Sequence, residues 1–386
     1  MTGYSENSTK KSTAEREPLT YDEILRRDNI PASEPIPADI ADRFADKRIF
    51  LFSDEKGFDP RKNITKVKGS TGTWVLSTTQ PVVSGLPVEK VEQVEPGSMR
   101  RNGGKERALK GFRPPWQPYI YHPKTVPQVR PQMLQRKSGA KILPEVVFNN
   151  DDRQLFFPSG YPWHCIGKVV ANPGGSGTGT LVGSRTVLTC AHLIPWGAPF
   201  TITFFPAFWS WTLPSLIPLS APLGGLNSFG ARVRGYTNYR KSMAHDLAVV
   251  RLQDPLGDIL GTFGATIYND DWEDDPRWTM VGYPTLVGVT RDPLLGVVGF
   301  NNNGNMPARQ FGISVEDDDS DGDALELEHH GDSTPGNSGG PLFGHWPDGP
   351  YVIGVHSGSE SDASYTVAAG GRAMRDLVNW ARANWV

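Results

Sequence analysis

The sequence predicts an all-β fold with many tight turns, and three observations carry that expectation. Glycine (42) and proline (33) are abundant among 386 residues, which suits short strands joined by turns better than long helices. From Tyr161 to Ile353, short apolar runs with period-two alternation recur between clusters of Gly, Pro, Asn and Asp. Helical spacing is expected only towards the two ends of the chain.

Residues 1–145 read as a unit apart from the rest of the chain. Short helices are expected at Tyr21–Arg27 and Ala38–Lys47, then strand-like pieces at Gly72–Ser77 and Val82–Val88. The basic stretch Arg100–Arg113, the run Pro114-Pro115-Trp116 and further prolines to Pro131 read as extended, weakly ordered chain. Beyond residue 145 the expected strands include Trp163–Val169, Leu181–Leu188, Phe200–Phe205 and Leu247–Leu252. Later ones are expected at Trp278–Val281, Gly296–Phe300, Ala324–His329 and Tyr351–His356. A long insertion rich in aromatic residues and proline occupies 206–230. Met374, Leu377, Val378 and Ala381 recur at helical spacing, so Arg372–Trp385 is expected to be an amphipathic helix docked on the second half of the fold.

Composition excludes several functions. The net charge of −3 gives no electrostatic case for nucleic acid or an anionic membrane as partner. No apolar run approaches the length needed to cross a bilayer. The opening stretch, MTGYSENSTKKSTAEREPLTYDEILRR, has no apolar core of a secretory signal. Cys165 and Cys190 could form one disulfide or stay as two thiols.

The chemistry concentrates at 331–344, GDSTPGNSGGPLFG, where Gly336, Gly339 and Gly340 surround Ser338. A nucleophilic hydroxyl needs a sharp turn of this kind, which exposes Oγ and frees amide N–H groups for a developing oxyanion. It also needs a base. GTGTLVGSRTVLTCAHLI (177–194) sets His192 just after a strand, and AHDLAVVRL (244–252) sets Asp246 at the head of another. Cys190 lies two residues before His192, but nothing around it resembles a nucleophile turn.

These three motifs, in the order His192, Asp246, Ser338, resemble the trypsin/chymotrypsin-type serine protease family over residues 146–386. The resemblance implies two six-stranded antiparallel β-barrels with a C-terminal helix and a monomer that cuts protein or peptide substrates without a cofactor. It implies His192 as base, Asp246 as the group that orients it, and the N–H groups of Gly336 and Ser338 as oxyanion donors. It also implies secretion, which the opening stretch does not support; a cytoplasmic site is the alternative.

A narrower resemblance is present as well. Glu145-Val146-Val147-Phe148-Asn149-Asn150-Asp151-Asp152-Arg153 is similar to the mature amino-terminal stretch of the glutamyl endopeptidase branch, and Asn337 before Ser338 fits that branch too. By that match residues 1–145 are a propeptide, the alternatives being a disordered tail or a separate binding segment. The freed Val146 amine, Ser333, His356 and Ser359 would then recognise a substrate carboxylate, giving cleavage after Glu and more weakly after Asp. No aspartate that would select Lys or Arg is expected in these segments. Alternatives are a protease of this fold with another specificity, reshaped by the insertion, and a non-catalytic binding protein on the same scaffold.

One metal pattern needs weighing. DDDSDGDALELE (317–328) matches a calcium loop through Asp317, Asp319, Asp321, Gly322 and Glu328. Its flanks do not read as helices, so a solvated acidic loop is the default expectation.

Overall fold

Six runs rich in Val, Ile, Thr and Phe close on themselves in the computed structural model, which describes residues 17–40, 87–101, 108–126, 147–148, 151–209, 227–292, 296–360 and 362–385. Three short strands precede them: β1 (Lys90–Val94), β2 (Ala108–Leu109) and β3 (Gln154–Leu155). The ring consists of β4 (Ile166–Asn172), β5 (Ser176–Gly183), β6 (Thr186–Thr189), β7 (Thr201–Pro206), β8 (Ser228–Tyr236) and β9 (Ala248–Leu252). β4 pairs with β5 and β7, β5 with β6, β6 with β9, and β8 with both β9 and β7, all antiparallel. Closure removes the exposed edges that an open sheet would present.

The second half contains β10 (Gly264–Thr266), β11 (Trp278–Gly282), β12 (Leu286–Asp292), β13 (Gly296–Asn301), β14 (Ala308–Ile313), β15 (Val315–Asp321), β16 (Ala324–His329), β17 (Pro341–Trp346), β18 (Gly349–Ser359) and β19 (Thr366–Gly370). Its strand order is β15-β16-β19-β18-β17-β11-β14. Only Ser314 parts β14 from β15, so one bent strand pairs with β11 in its first half and with β16 in its second. The sheet returns on itself through that bend, giving the second six-stranded layer that was expected. β12 and β13 form a separate hairpin.

Three α-helices lie wholly within the described residues: α1 (Tyr21–Leu25), α2 (Leu256–Leu260) and α3 (Gly371–Asn384). α1 starts at a capping box, Thr20 with Glu23, as its sequence requires. α3 buries Met374, Leu377, Val378 and Ala381. It packs on β9 and β5 as well as on β16 and β10, so it spans both halves and not the second alone.

Two expectations need correcting. Trp163–Cys165 forms a 3-10 turn after Pro162, and the strand begins only at Ile166. Residues 108–126 are not loose chain: Tyr119 and Tyr121 are buried, and the Tyr119 hydroxyl bonds His345 Nδ1 at 2.7 Å. The prolines space out aromatic side chains that fill grooves on the body, and packing wins over the weak local order that composition suggests. β1 joins β8 in parallel, β2 joins β10, and Leu19 and Ile24 belong to the main core. The expected helix at Ala38–Lys47 is described only at its start, and the strands expected at 72–77 and 82–88 fall almost wholly outside the described residues.

Candidate active site

β6 and β9 lie side by side with Thr189 opposite Ala248, so the residues just beyond these strand ends must meet. After Thr189 the chain makes a 3-10 turn, Ala191–Leu193, which presents His192. Before β9 a second turn, Met243–His245, delivers Asp246. Asp246 is buried and takes two bonds from His192: backbone N–H to Oδ1 at 2.8 Å and ring Nδ1 to Oδ2 at 2.6 Å. Ser357 Oγ donates to the same Oδ2 at 2.6 Å. The ring is thereby fixed with Nδ1 as donor, which leaves Nε2 as its acceptor.

Burial opposes a charge on His192, but neighbouring Cys190 and Asp246 outweigh it and hold the imidazole above its ordinary value. Burial also pushes the Cys190 thiol up. The thiol is therefore uncharged near neutrality. His245, beside Asp246, points away: it bonds Asn238 at 3.1 Å and faces Asp321.

Ser338 sits on the turn between β16 and β17. Its carbonyl accepts from Thr178 N–H at 2.8 Å, and Gly339 N–H donates to His356 O at 2.9 Å. Gly336 and Gly339 have φ of 102° and 83°. A side chain on Gly336 would strike the Tyr283 carbonyl, and one on Gly339 would strike Thr178 O and Thr189 Oγ1, so only glycine fits either place. The Gly339 contact sets the turn against Cys190 N, two residues from His192. Among the described residues no acceptor takes the N–H of Gly336 or Ser338, while Thr178 Oγ1 fixes the Gly336 carbonyl at 2.8 Å. Two free donors beside a hydroxyl are what a tetrahedral oxyanion needs. Ser338 Oγ makes no described bond to His192, whose Nε2 lies 3.6 Å from Cys190 Sγ.

A buried arginine supports this turn. Arg153 Nη1 donates to Thr334 Oγ1 at 3.0 Å and to Asn337 Oδ1 at 3.1 Å. Its Nε and Nη2 grip both oxygens of Asp151, at 2.8 and 2.6 Å. The same stretch holds Asp332, whose two oxygens accept the N–H groups of Phe148 and Asp152, each at 2.8 Å.

The family model described as a trypsin-like peptidase domain matches residues 177–355, a span that includes His192, Asp246 and Ser338. The chain carries a trypsin-like peptidase domain. No curated protein matches the sequence. Among solved structures, a Glu endopeptidase is similar at 17% identity and a TM-score of 0.46, over 62% of this chain and 100% of that one. A thermostable serine protease from an extremophilic microorganism is similar at 18% identity and a TM-score of 0.40, over 57% of this chain and 98% of that one.

In the trypsin-like domain two of the residues expected to read the substrate, His356 and Ser359, lie on β18. Ser333 and His356 are wholly buried, and Ser333 Oγ has no hydrogen-bond partner among the described residues. Ser359 is half-buried and lies opposite Thr366 on β19. Val146 lies outside the described residues, but Phe148 packs edge-on against His330 with ring centres 4.5 Å apart. Two further residues escaped sequence reasoning. His329 accepts the Gly331 N–H at Nδ1, so its hydrogen is on Nε2, which has no described partner. Burial, reinforced by His356 and His330, holds the His329 imidazole down at about 3, so the ring stays neutral. Asp332 is the acidic side chain that the segment was expected to lack. Its oxygens are taken by backbone N–H groups, and burial pushes its carboxyl up to about 6 against them.

The cysteines of the domain are both buried and unpaired. The acidic stretch is not a loop: β15 and β16 form a hairpin with Asp317 opposite Glu328. Along a strand, positions 317, 319 and 321 spread over roughly 13 Å, too far to wrap one ion. Most of the 206–230 insertion falls outside the described residues.

Proposed function

We propose that this chain is a serine endopeptidase in which Ser338 attacks the peptide carbonyl, His192 takes its proton and Asp246 steadies the imidazolium. The bonds between His192 and Asp246 and from Ser357 to Asp246 support this reading, because they make Nδ1 the donor and leave Nε2 as the proton acceptor of the ring. The N–H groups of Gly336 and Ser338 bind the oxyanion of the tetrahedral intermediate, which collapses to an acyl-enzyme that water hydrolyses.

The substrate preference is for Glu, then Asp, before the scissile bond. Buried donors favour it: Ser333 Oγ and His329 Nε2 lack described partners, and His356 lies on β18, across β19 from the strand of His329. A carboxylate entering the pocket would satisfy groups whose burial otherwise costs stability. Cleavage after Glu145 would free the Val146 amine as a further positive group, which makes the uncut chain a proenzyme. Asp332 favours a second reading, cleavage after Lys or Arg, if its carboxylate were released from Phe148 and Asp152.

Labelling by a fluorophosphonate probe, lost in Ser338→Ala, tests the chemistry. A peptide library read by mass spectrometry tests the preference. Cleavage after Arg or Phe equal to or faster than after Glu would overturn it.

A further inference from the structure

We propose that Cys190 and His192 form a binding site for one thiophilic divalent cation, Zn²⁺, whose occupancy blocks the base of the active site. Cys190 Sγ lies 3.6 Å from His192 Nε2. Two ligands on one tetrahedral zinc, with Zn–S about 2.3 Å and Zn–N about 2.0–2.1 Å, stand roughly 3.5 Å apart. The pair is therefore spaced to take the ion with little movement. Asp246 completes a group whose ligand atoms all lie within 4.8 Å of one another. It already holds Nδ1 at 2.6 Å, the carboxylate–histidine–metal arrangement that orients a ligating imidazole.

Donor chemistry selects the ion. Sulfur and imidazole nitrogen suit zinc and its neighbours, whereas calcium and magnesium need oxygen ligands. Cys190 is fully buried, but the His192 side chain is 41% exposed, so the cation enters along the ring and keeps water in its remaining positions. Cys165 offers no comparable place, since its thiol faces the carbonyls of Leu260 and Gly261. Binding releases the thiol proton to solvent as the sulfur–metal bond forms and, from the imidazolium, the Nε2 proton as the nitrogen–metal bond forms; the Asp246 carboxylate balances the remaining positive charge. No electron moves.

Metal binding at this pair stands on the geometry alone; the block on catalysis rests on the proposed function. The Nε2 lone pair that must accept the Ser338 proton is the one the metal occupies. In the full chain, micromolar Zn²⁺ is expected to stop peptide hydrolysis, and EDTA to restore it. Cys190→Ala and Cys190→Ser are expected to need at least about tenfold more Zn²⁺ than the parent to lose half of their own hydrolysis, the size lost even by outer-sphere partners. Cd²⁺ is expected to give an ultraviolet thiolate-to-metal band in the parent and in Ser338→Ala, but not in Cys190→Ala. Equal inhibition of parent and Cys190→Ala, or no cadmium band in the parent, overturns the proposal. A cadmium band in a chain that hydrolyses nothing keeps the site and removes the protease reading.

Discussion

Arg153 donates to Asn337 at 3.1 Å across 184 residues of sequence, so a buried cation fixes the residue beside Ser338. The guanidinium is tolerated in the interior because Asp151 takes two of its nitrogens and Thr334 shares the third. A planar fork can make all these bonds at once; an ammonium cannot. The turn that carries Ser338 is therefore pinned by Asp151 and Arg153.

Substituting Arg153 by Met is expected to lower kcat with KM nearly unchanged. Displacing one oxyanion donor costs roughly 10²–10³ in rate, and the loss should fall in that range. Arg153→Lys should recover only part of it. Steady-state kinetics on a fluorogenic peptide, beside a thermal melt to confirm folding, provide the check. A rise in KM alone would show that Arg153 only helps to bind substrate.

Asp246→Asn should drop kcat by about 10⁴ through loss of the correct tautomer. The pH profile supplies an independent sign. His192 is a base only when neutral, so a raised pKa sets the acid limb of kcat/KM above the usual imidazole range. Removing the carboxylate takes away one of the groups that raise it and moves that limb to lower pH. Ser357→Ala removes one bond to the same carboxylate and is expected to cost about tenfold in kcat.

Asp332→Asn separates the two readings of specificity. If the pocket serves a carboxylate, cancelling a nearby negative charge leaves or sharpens the preference for Glu. A chain that cut after Arg and lost this in Asp332→Asn would show that Asp332 is the selecting group. Competition between Glu and Arg peptides of one scaffold measures the ratio directly.

Cutting between Glu145 and Val146 should not release the amino-terminal part. Leu19, Ile24, Tyr119 and Tyr121 are buried in the main core, and burying each large apolar side chain is worth roughly 1.5–3 kcal/mol. The β1–β8 pairing adds five residue pairs. Size-exclusion chromatography of the cut protein is expected to keep both pieces in one peak until denaturant is added. Separation without denaturant would show a removable propeptide.

The sequence by itself determined the all-β class, the helix near each end, and the turns that carry His192, Asp246 and Ser338. Those features are spelled locally: period-two alternation gives strands, and Gly336 and Gly339 mark a turn that no other residue could make. His192 and Asp246 were legible because each follows or precedes a strand whose pairing brings their turns together. Tertiary structure alone decided that Ser357 steadies Asp246, that Arg153 clamps Asn337, and that His329 joins the specificity segments. It also placed Cys190 against the base and turned the Asp332 oxygens towards backbone N–H groups. Each of these depends on which way a side chain leaves a strand and on which strand lies beside it once the sheets close. Barrel register sets both, and it couples residues too far apart in sequence for any local pattern to announce them.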